Sequence, residues 1–443
     1  MNQKWEEMYR EKLGSADDCV KHLKDDDGIL IPLGNGAPAA LGNAIGKRIR
    51  EGNLKGVTWV GGLDVKWMDI LSPELQDRIT IDSGFVAEAV RLGVQKGLYT
   101  YSPNRLGHVI DVVTQHRAHL NKGAVVCVVS PMDEHGFFST GVNVDIGWGS
   151  AKAGVFRELL LEVNENMPRA FGNNHIHISE VTAVCENTAP LVEMPPVPIS
   201  KEDEMIGEYV AELIPDGACL QIGIGGMPNA IANCLKDKKD LGIHSEMLTD
   251  SMVDLYECGA VTCARKNINR FKMVGCFAFG TQKLYKFIDN NPMVEMHCTS
   301  YVNDPYIIGQ HDNMIAVNGT IEVDLSGQAA SESHGPIQYS GAGGQSDFVQ
   351  GAWRSRGGQS FLTLHSTYVD KNGERHSNIK PMLTPGAFVS TTRQDVENIV
   401  TEYGVAHIKG NDMRTRVKDL IRIAHPDFRD WLRSEAKRLR YIP

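Results

Sequence analysis

Asp216-Gly217-Ala218-Cys219-Leu220-Gln221-Ile222-Gly223-Ile224-Gly225-Gly226-Met227-Pro228 reads as a turn, an apolar strand, a glycine loop and the start of a helix. The same order occurs near the N-terminus, in Asp27-Gly28-Ile29-Leu30-Ile31-Pro32-Leu33-Gly34-Asn35-Gly36-Ala37-Pro38. Each copy follows a helix-start pattern, Ser200 with Asp203 in one and Ser15 with Asp18 in the other, in which a hydroxyl and a carboxylate three residues apart satisfy each other's backbone amides. Behind Ser200, residues Met205, Tyr209, Val210 and Leu213 recur at helical spacing. Late in each half an apolar strand precedes a second similar turn: Val126 to Ser130 before Asp133-Glu134-His135-Gly136, and Phe361 to Ser366 before Asp370-Lys371-Asn372-Gly373. Two alternating strand and helix halves predict a duplicated α/β protein, two tandem open α/β domains with mainly parallel sheets.

The boundary between the halves falls at Thr188 to Ile199, a stretch with four prolines. Proline fixes φ and has no amide to give a sheet, so this run predicts an extended linker or crossover. The expected organisation is an N-terminal domain over 1–187, the linker over 188–199 and a C-terminal domain over 200–443 that carries the reactive acid. A chain of 443 residues exceeds one hydrophobic core. Its 42% hydrophobic and 23% charged residues are those of an ordinary globular protein.

The formal net charge of −10 argues against nucleic-acid binding, which needs a cationic surface to displace counterions. It leaves room for one anionic small molecule in a local basic pocket. The N-terminal MNQKWEEMYREKL mixes both charge signs without an apolar core, unlike a secretory signal, and the longest apolar runs are strand-sized. Nine cysteines form no CxxC pair, and Cys258 with Cys263 has no matching Cys/His pair, so the expectation is buried, reduced thiols in a cytoplasmic protein with no membrane partner.

Glu246 is the strongest candidate for chemistry. It lies in Gly242-Ile243-His244-Ser245-Glu246-Met247 and shares the second half with two glycine clusters, Gly223 to Pro228 and Gly341-Ala342-Gly343-Gly344-Gln345-Ser346-Asp347-Phe348. Matching Gly56 to Gly242 places Val60 opposite Glu246, which suggests that the fold itself requires no acid there. Glycine loops that open helices let backbone amides approach an anion, assisted by the helix dipole. A dinucleotide fingerprint with Glu246 as its ribose-binding acid competes with this reading. Pro228 in place of the third glycine, and the polar His244 and Ser245 in the strand before the acid, count against it. A plain strand-to-helix turn remains open for the first cluster. Gly341 to Gly344, with a helix expected from Gln345 to Trp353, is better explained by close approach to a ligand or a developing oxyanion than by a flexible linker. Arg354, Arg356, Lys371 and Lys380 follow and are either phosphate recognisers or solvated charges. His175 and His177 share one strand face with no third ligand, so no metal site is expected, and His135 and His376 read as corresponding loop positions.

These motifs, with Tyr301-Val302-Asn303-Asp304-Pro305 and Asn318-Gly319-Thr320-Ile321-Glu322-Val323-Asp324, resemble the class I coenzyme A transferases of the 4-hydroxybutyrate CoA-transferase, butyryl-CoA:acetate CoA-transferase and acetyl-CoA hydrolase group, nearly end to end. The resemblance implies two open α/β domains and a homo-oligomer. It implies CoA transfer between short-chain acyl-CoA and a carboxylate, with Glu246 as nucleophile through a glutamyl-CoA thioester. It implies Asn303 as a side-chain oxyanion donor, with Gly343 of the glycine loop adding a backbone amide. Gln221, Gly223, Ile224, Gly225, Ile321, Gly341 and Gly344 then line the CoA site. Coenzyme A enters as substrate, with no permanently bound cofactor and no metal. Hydrolysis of acyl-CoA at the same site, and a non-catalytic nucleotide-binding protein, are the alternatives.

Overall fold

The computed structural model describes residues 3–116, 122–195 and 197–443, so Met1, Asn2 and Pro196 of the stretches read above lie outside the described residues. The chain divides into two compact units. The first comprises Met1–Pro195, Glu246–Leu248 and Val274–Val302; the second comprises Pro196–Ser245, Thr249–Met273 and Asn303–Pro443. Glu246 therefore belongs to the first unit, and a continuous 200–443 segment is not one compact body.

The first unit is built on β1 (Gly28–Leu30), β2 (Val57–Gly61), β3 (Ile79–Ser83), β4 (Thr100–Tyr101), β5 (Ala124–Val129), β6 (Glu158–Val163) and β7 (Ala183–Glu186). They form one sheet in the order β7-β6-β5-β1-β2-β3-β4, with every pairing parallel. β5 is buried along its whole length, as its unbroken Ala-Val-Val-Cys-Val-Val run requires of a central parallel strand. On one face, Ile29, Ile31, Trp59 and Val126 pack with Leu41, Ile45 and Ile49 of the helix Ala39–Arg50. Burying each such side chain stabilises the fold by roughly 1.5–3 kcal/mol. The proline-rich crossing is pinned to this unit: both Asn35 side-chain atoms clasp the Val192 backbone, at 2.8 and 3.0 Å.

The second unit carries β8 (Cys219–Ile222), β9 (Gly242–Ile243), β10 (Met314–Gly319), β11 (Gln359–Thr363), β12 (Asn398–Thr401) and β13 (Gly404–His407). Their order is β9-β8-β10-β11-β12-β13, parallel except for the β12–β13 edge. The helix Lys201–Leu213 starts on the expected Ser200/Asp203 capping box, and Gly207 lets it approach the helix Gly226–Cys234, since an added Cβ would sit 3.0 Å from the Ala230 carbonyl carbon. The corresponding Ser15/Asp18 box is also formed, but its helix runs only from Ala16 to Cys19.

The duplication is visible in topology. β1 and β8 each have the next strand on one side and a later strand on the other, from which the sheet grows outward in chain order. Register fixes the correspondence. Leu30 pairs with Val60 and Val125, and Cys219 pairs with Gly242 and Met314. Leu30 and Cys219 each lie two residues after the glycine of the Asp-Gly turn, so Val60 corresponds to Gly242, and counting four residues on brings Asp64, not Val60, level with Glu246. Matching Gly56 to Gly242 misled because the two glycines do different things. Gly56 takes φ +68° in a turn, whereas Gly242 lies in a strand where a Cβ would meet Lys266 at 2.7 Å. The late turns correspond closely: Asp133 Oδ1 accepts the His135 and Phe137 amides, and Asp370 Oδ1 accepts those of Asn372 and Glu374. His135 thus matches Asn372, and His376 is not its counterpart. The cysteines are all free, but Cys234 and Cys258 are exposed, each at the C-terminal end of a helix.

Candidate active site

In the second unit the direction of chain progression reverses between β8 and β10, and open α/β sheets bind ligands beyond such a point. Gln221 and Asn318 face each other there, with Asn318 Nδ2 donating to Gln221 Oε1 at 3.1 Å. Gln221 is only 2% exposed, so it forms the floor. Immediately above, an added Cβ on Gly223 would meet nothing within 4 Å, and the same holds for Gly319 at the end of β10. Those two glycines leave open space at adjacent strand ends. Gly225 turns the chain at φ +118°, Ile224 presents an apolar side chain 41% exposed, and the helix Gly226–Cys234 begins at once. A cavity of about 530 Å³ joins Met227 of this turn to Thr320, Ile321 and Lys380. The Lys380 ammonium lies 2.6 Å from Glu322, while Arg356 stands 86% exposed and is paired with Asp312. Of the four cations considered above, Lys380 lines the cavity.

Gly344 caps the helix Gln345–Arg354, and Gly343 takes φ +53°. The head of that helix is fixed by Gln345 Nε2 donating to Thr391 Oγ1 at 2.9 Å and Ser346 Oγ to the Ser390 carbonyl at 2.6 Å. Asn303 follows the short helix Thr299–Val302 and is fully buried. The second unit thus holds Gln221, Gly223, Ile224, Gly225 and Ile321 around one turn and cavity, with Gly341, Gly343 and Gly344 at a helix head, and Asn303 buried where a segment of that unit begins.

Glu246 is mounted in the first unit. Residues Met247–Leu248 pair in parallel with Phe277–Ala278, and Asn143 bridges antiparallel to Phe277. The Glu246 carbonyl accepts the Cys276 and Phe277 amides, both at 3.0 Å, and the Cys276 thiol at 3.0 Å. Burial, with Glu246 and Asp145 adding to it, pushes the Cys276 thiol well above its ordinary pKa, so it stays a neutral donor. From Leu241 to Thr249 every residue is buried except Glu246, which is partly exposed. The backbone is held, and Glu246 is the one residue of this stretch that is not buried.

Just before this point the second unit contains a cluster that sequence reading missed. Lys266, 3% exposed, donates to the Ile243 carbonyl at 2.8 Å and to that of Lys272 at 2.7 Å. His244 Nδ1 lies 3.2 Å from His311 Nε2, both rings fully buried. Burial, reinforced by Lys266, lowers His311 to about 3, so that ring is neutral near pH 7. His311 lies far from His244 in sequence, with no motif to join them. Among the described residues one group has metal-like spacing, Asp370, Glu374 and His376, but its Asp370 already holds the turn amides named above.

Models of the acetyl-CoA hydrolase/transferase N-terminal and C-terminal domains match residues 1–196 and 280–436. The chain belongs to the acetyl-CoA hydrolase/transferase family. It is 42% identical to the succinyl-CoA:cyclohexane-1-carboxylate CoA transferase of Geobacter metallireducens, over 99% of this chain and 98% of that protein. It is 38% identical to the 4-hydroxybutyrate coenzyme A transferase of Clostridium kluyveri, over 98% of this chain and 99% of that one. The crystal structure of RipA from Yersinia pestis matches with a TM-score of 0.91 at 35% identity and covers 100% of both chains. This family member is an enzyme of the CoA-transferase class. No helix among its described residues is long and apolar enough to cross a membrane.

Proposed function

We propose that the enzyme moves coenzyme A between a short-chain acyl-CoA and a free carboxylate of the acetate, butyrate or 4-hydroxybutyrate type, with Glu246 as the covalent carrier. The observation that carries this reading is the exposure of Glu246 alone within a buried segment whose backbone is fixed on both sides. A glutamate has an ordinary pKa of about 4.3, so it needs no partner base to be a nucleophile near pH 7.

The Glu246 carboxylate attacks the thioester carbonyl, and the C–S bond breaks to give an acyl-glutamyl anhydride and CoA thiolate. The thiolate then attacks the glutamyl carbonyl and expels the donor carboxylate, leaving glutamyl-CoA. An incoming carboxylate reverses the sequence and restores Glu246. The anhydride conserves the activation of the thioester, so the cycle calls on no metal or external energy source. Tetrahedral intermediates need donors, the roles proposed for Asn303 and the Gly343 amide; losing one typically slows such reactions by two to three decades, about 3 kcal/mol. Ile321, Gly341, Gly344 and the open ground above Gly223 and Gly319 are assigned to CoA.

The partial exposure of Glu246 also admits water, so hydrolysis of acyl-CoA is the second reading. Initial rates over a matrix of acyl-CoA and acetate concentrations separate the two. Parallel double-reciprocal lines are the expected result, with Glu246→Gln lowering kcat by several decades and keeping affinity for the CoA ester. CoA release at a rate independent of acetate would establish hydrolysis, and near-normal turnover in Glu246→Gln would remove the covalent role.

A further inference from the structure

Asp145 is a fully buried carboxylate in the first unit. Both of its oxygens lie 3.2 Å from the Leu33 amide, at the entrance to the first-half glycine loop. Asn143 Nδ2 donates to Oδ2 at 3.2 Å and the Ile146 amide to Oδ1 at 2.5 Å. The backbone around Asp145 reaches the other way. The Val144 and Asp145 amides both donate to the Cys276 carbonyl, at 3.0 and 3.1 Å, and the Ala278 amide donates to the Val142 carbonyl at 2.8 Å. Cys276 in turn gives its amide and its thiol to the Glu246 carbonyl. A continuous path of hydrogen bonds thus runs from Leu33 through the Asp145 carboxylate and backbone to Cys276 and on to Glu246.

A buried carboxylate is costly unless its hydrogen bonds are satisfied, and an apolar residue would fill this position with less desolvation. What the carboxylate adds is direction. It fixes the Val142–Asp145 segment against the end of β1, and that segment is the edge on which residues 276–278 and then 246–248 are laid. Catalytic groups must be held to within about half an ångström, and a displacement near 1 Å costs about 100-fold in rate.

We infer that Asp145 is a positioning residue for the transferase reaction, holding the Val142–Asp145 segment and, through it, the strand pair 247–248 and 277–278 that aims the Glu246 carboxylate at the acyl carbonyl. The inference rests on the assignment of Glu246 as nucleophile. It predicts a specific kinetic signature, because Asp145 is fully buried and acts through the backbone it holds.

The test compares wild type, Asp145→Asn, Asp145→Ala, Asn143→Ala and Glu246→Ala, using rapid quench and intact mass to follow formation of the glutamyl-CoA adduct from butyryl-CoA. Asp145→Asn should slow adduct formation by at least tenfold while the KM for butyryl-CoA changes by less than threefold. Asp145→Ala should be slower still, since Asn retains one oxygen for the Leu33 and Ile146 amides. Asn143→Ala, which keeps the carboxylate but removes one of its donors, should slow the step by threefold to tenfold, and it serves if the Asp145 variants do not fold. A merely structural role would lower the amount of folded enzyme but leave the rate per folded site unchanged. Adduct formation within twofold of wild type in folded Asp145→Asn, or in Asn143→Ala if the former is insoluble, overturns the inference. If wild type itself forms no adduct, or Glu246→Ala forms one, it is the nucleophile assignment that fails.

Discussion

Gly223 and Gly226 stand close in one turn and lack a side chain for different reasons. A Cβ on Gly226 would meet Asp203 Oδ2 at 2.5 Å, the oxygen that also caps the helix at Ser200, whereas one on Gly223 would meet nothing within 4 Å. Packing therefore explains Gly226 and not Gly223. Gly223→Ala is expected to leave the melting temperature within about 2 °C of wild type and to raise the KM for acyl-CoA by tenfold or more, because the methyl group takes space assigned to CoA. Thermal denaturation and steady-state kinetics check both halves of the statement; an unchanged KM would remove Gly223 from the CoA site. At this scale the sequence was partly legible. Glu246 stands out because an acid beside two glycine clusters has a chemical meaning. The support beneath it did not stand out, since Cys276 and Asp145 reach its backbone only through tertiary pairing and carry no local pattern; the same holds for Lys266 and His311 at Ile243 and His244.

Among the elements, the capping boxes were readable because they depend on residues three apart, and both are formed. The helix begun by Ser200 is long and central to its unit. Ser200→Ala should destabilise the second unit by about 1 kcal/mol, the usual loss when an N-cap oxygen is removed. A urea titration resolves a difference of that size, and an unchanged midpoint would mean that Asp203, which also contacts His365 at 2.9 Å, fixes the helix start alone. Register was less legible. The connection from Leu30 to its partner Val60 is longer than that from Cys219 to Gly242, so equal offsets from a nearby glycine misaligned the halves. Strand pairing supplied what spacing did not: it sets Val60 level with Gly242, so that Asp64 falls at the position of Glu246 in its half.

That correspondence has a consequence for the whole molecule. Both halves carry an acid after the second strand of the sheet, but Asp64 is 2% exposed and burial pushes it up to about 6. An unfolded aspartate titrates near 3.9, so the folded state binds the proton more tightly, and the stability this gives is present below about pH 4 and is lost as pH rises to about 6. Buried His311 acts in the opposite sense. Its folded value of about 3 lies below the ordinary imidazole value near 6.5, so its contribution is lost as pH falls through that window. Asp64→Asn should therefore lose less stability than wild type between pH 4.5 and pH 6.5, by an amount on the order of 1–2 kcal/mol in urea unfolding. Equal losses would show that Asp64 titrates normally. The duplication, the parallel sheets and the family were legible from two strand-loop-helix copies, because such copies repeat over short distances. The passage of Glu246–Leu248 and Val274–Val302 into the first unit was not, since no composition change marks it.

The most direct test of the account is to locate the covalent carrier. Wild type and Glu246→Ala are mixed with butyryl-CoA, digested, and the peptide containing His244-Ser245-Glu246-Met247 is examined by mass spectrometry. The account predicts a CoA thioester on Glu246 of the wild type, discharged by acetate with formation of acetyl-CoA, and absent from the variant. A CoA adduct on any other residue, or acetate-dependent transfer that survives loss of Glu246, would contradict it.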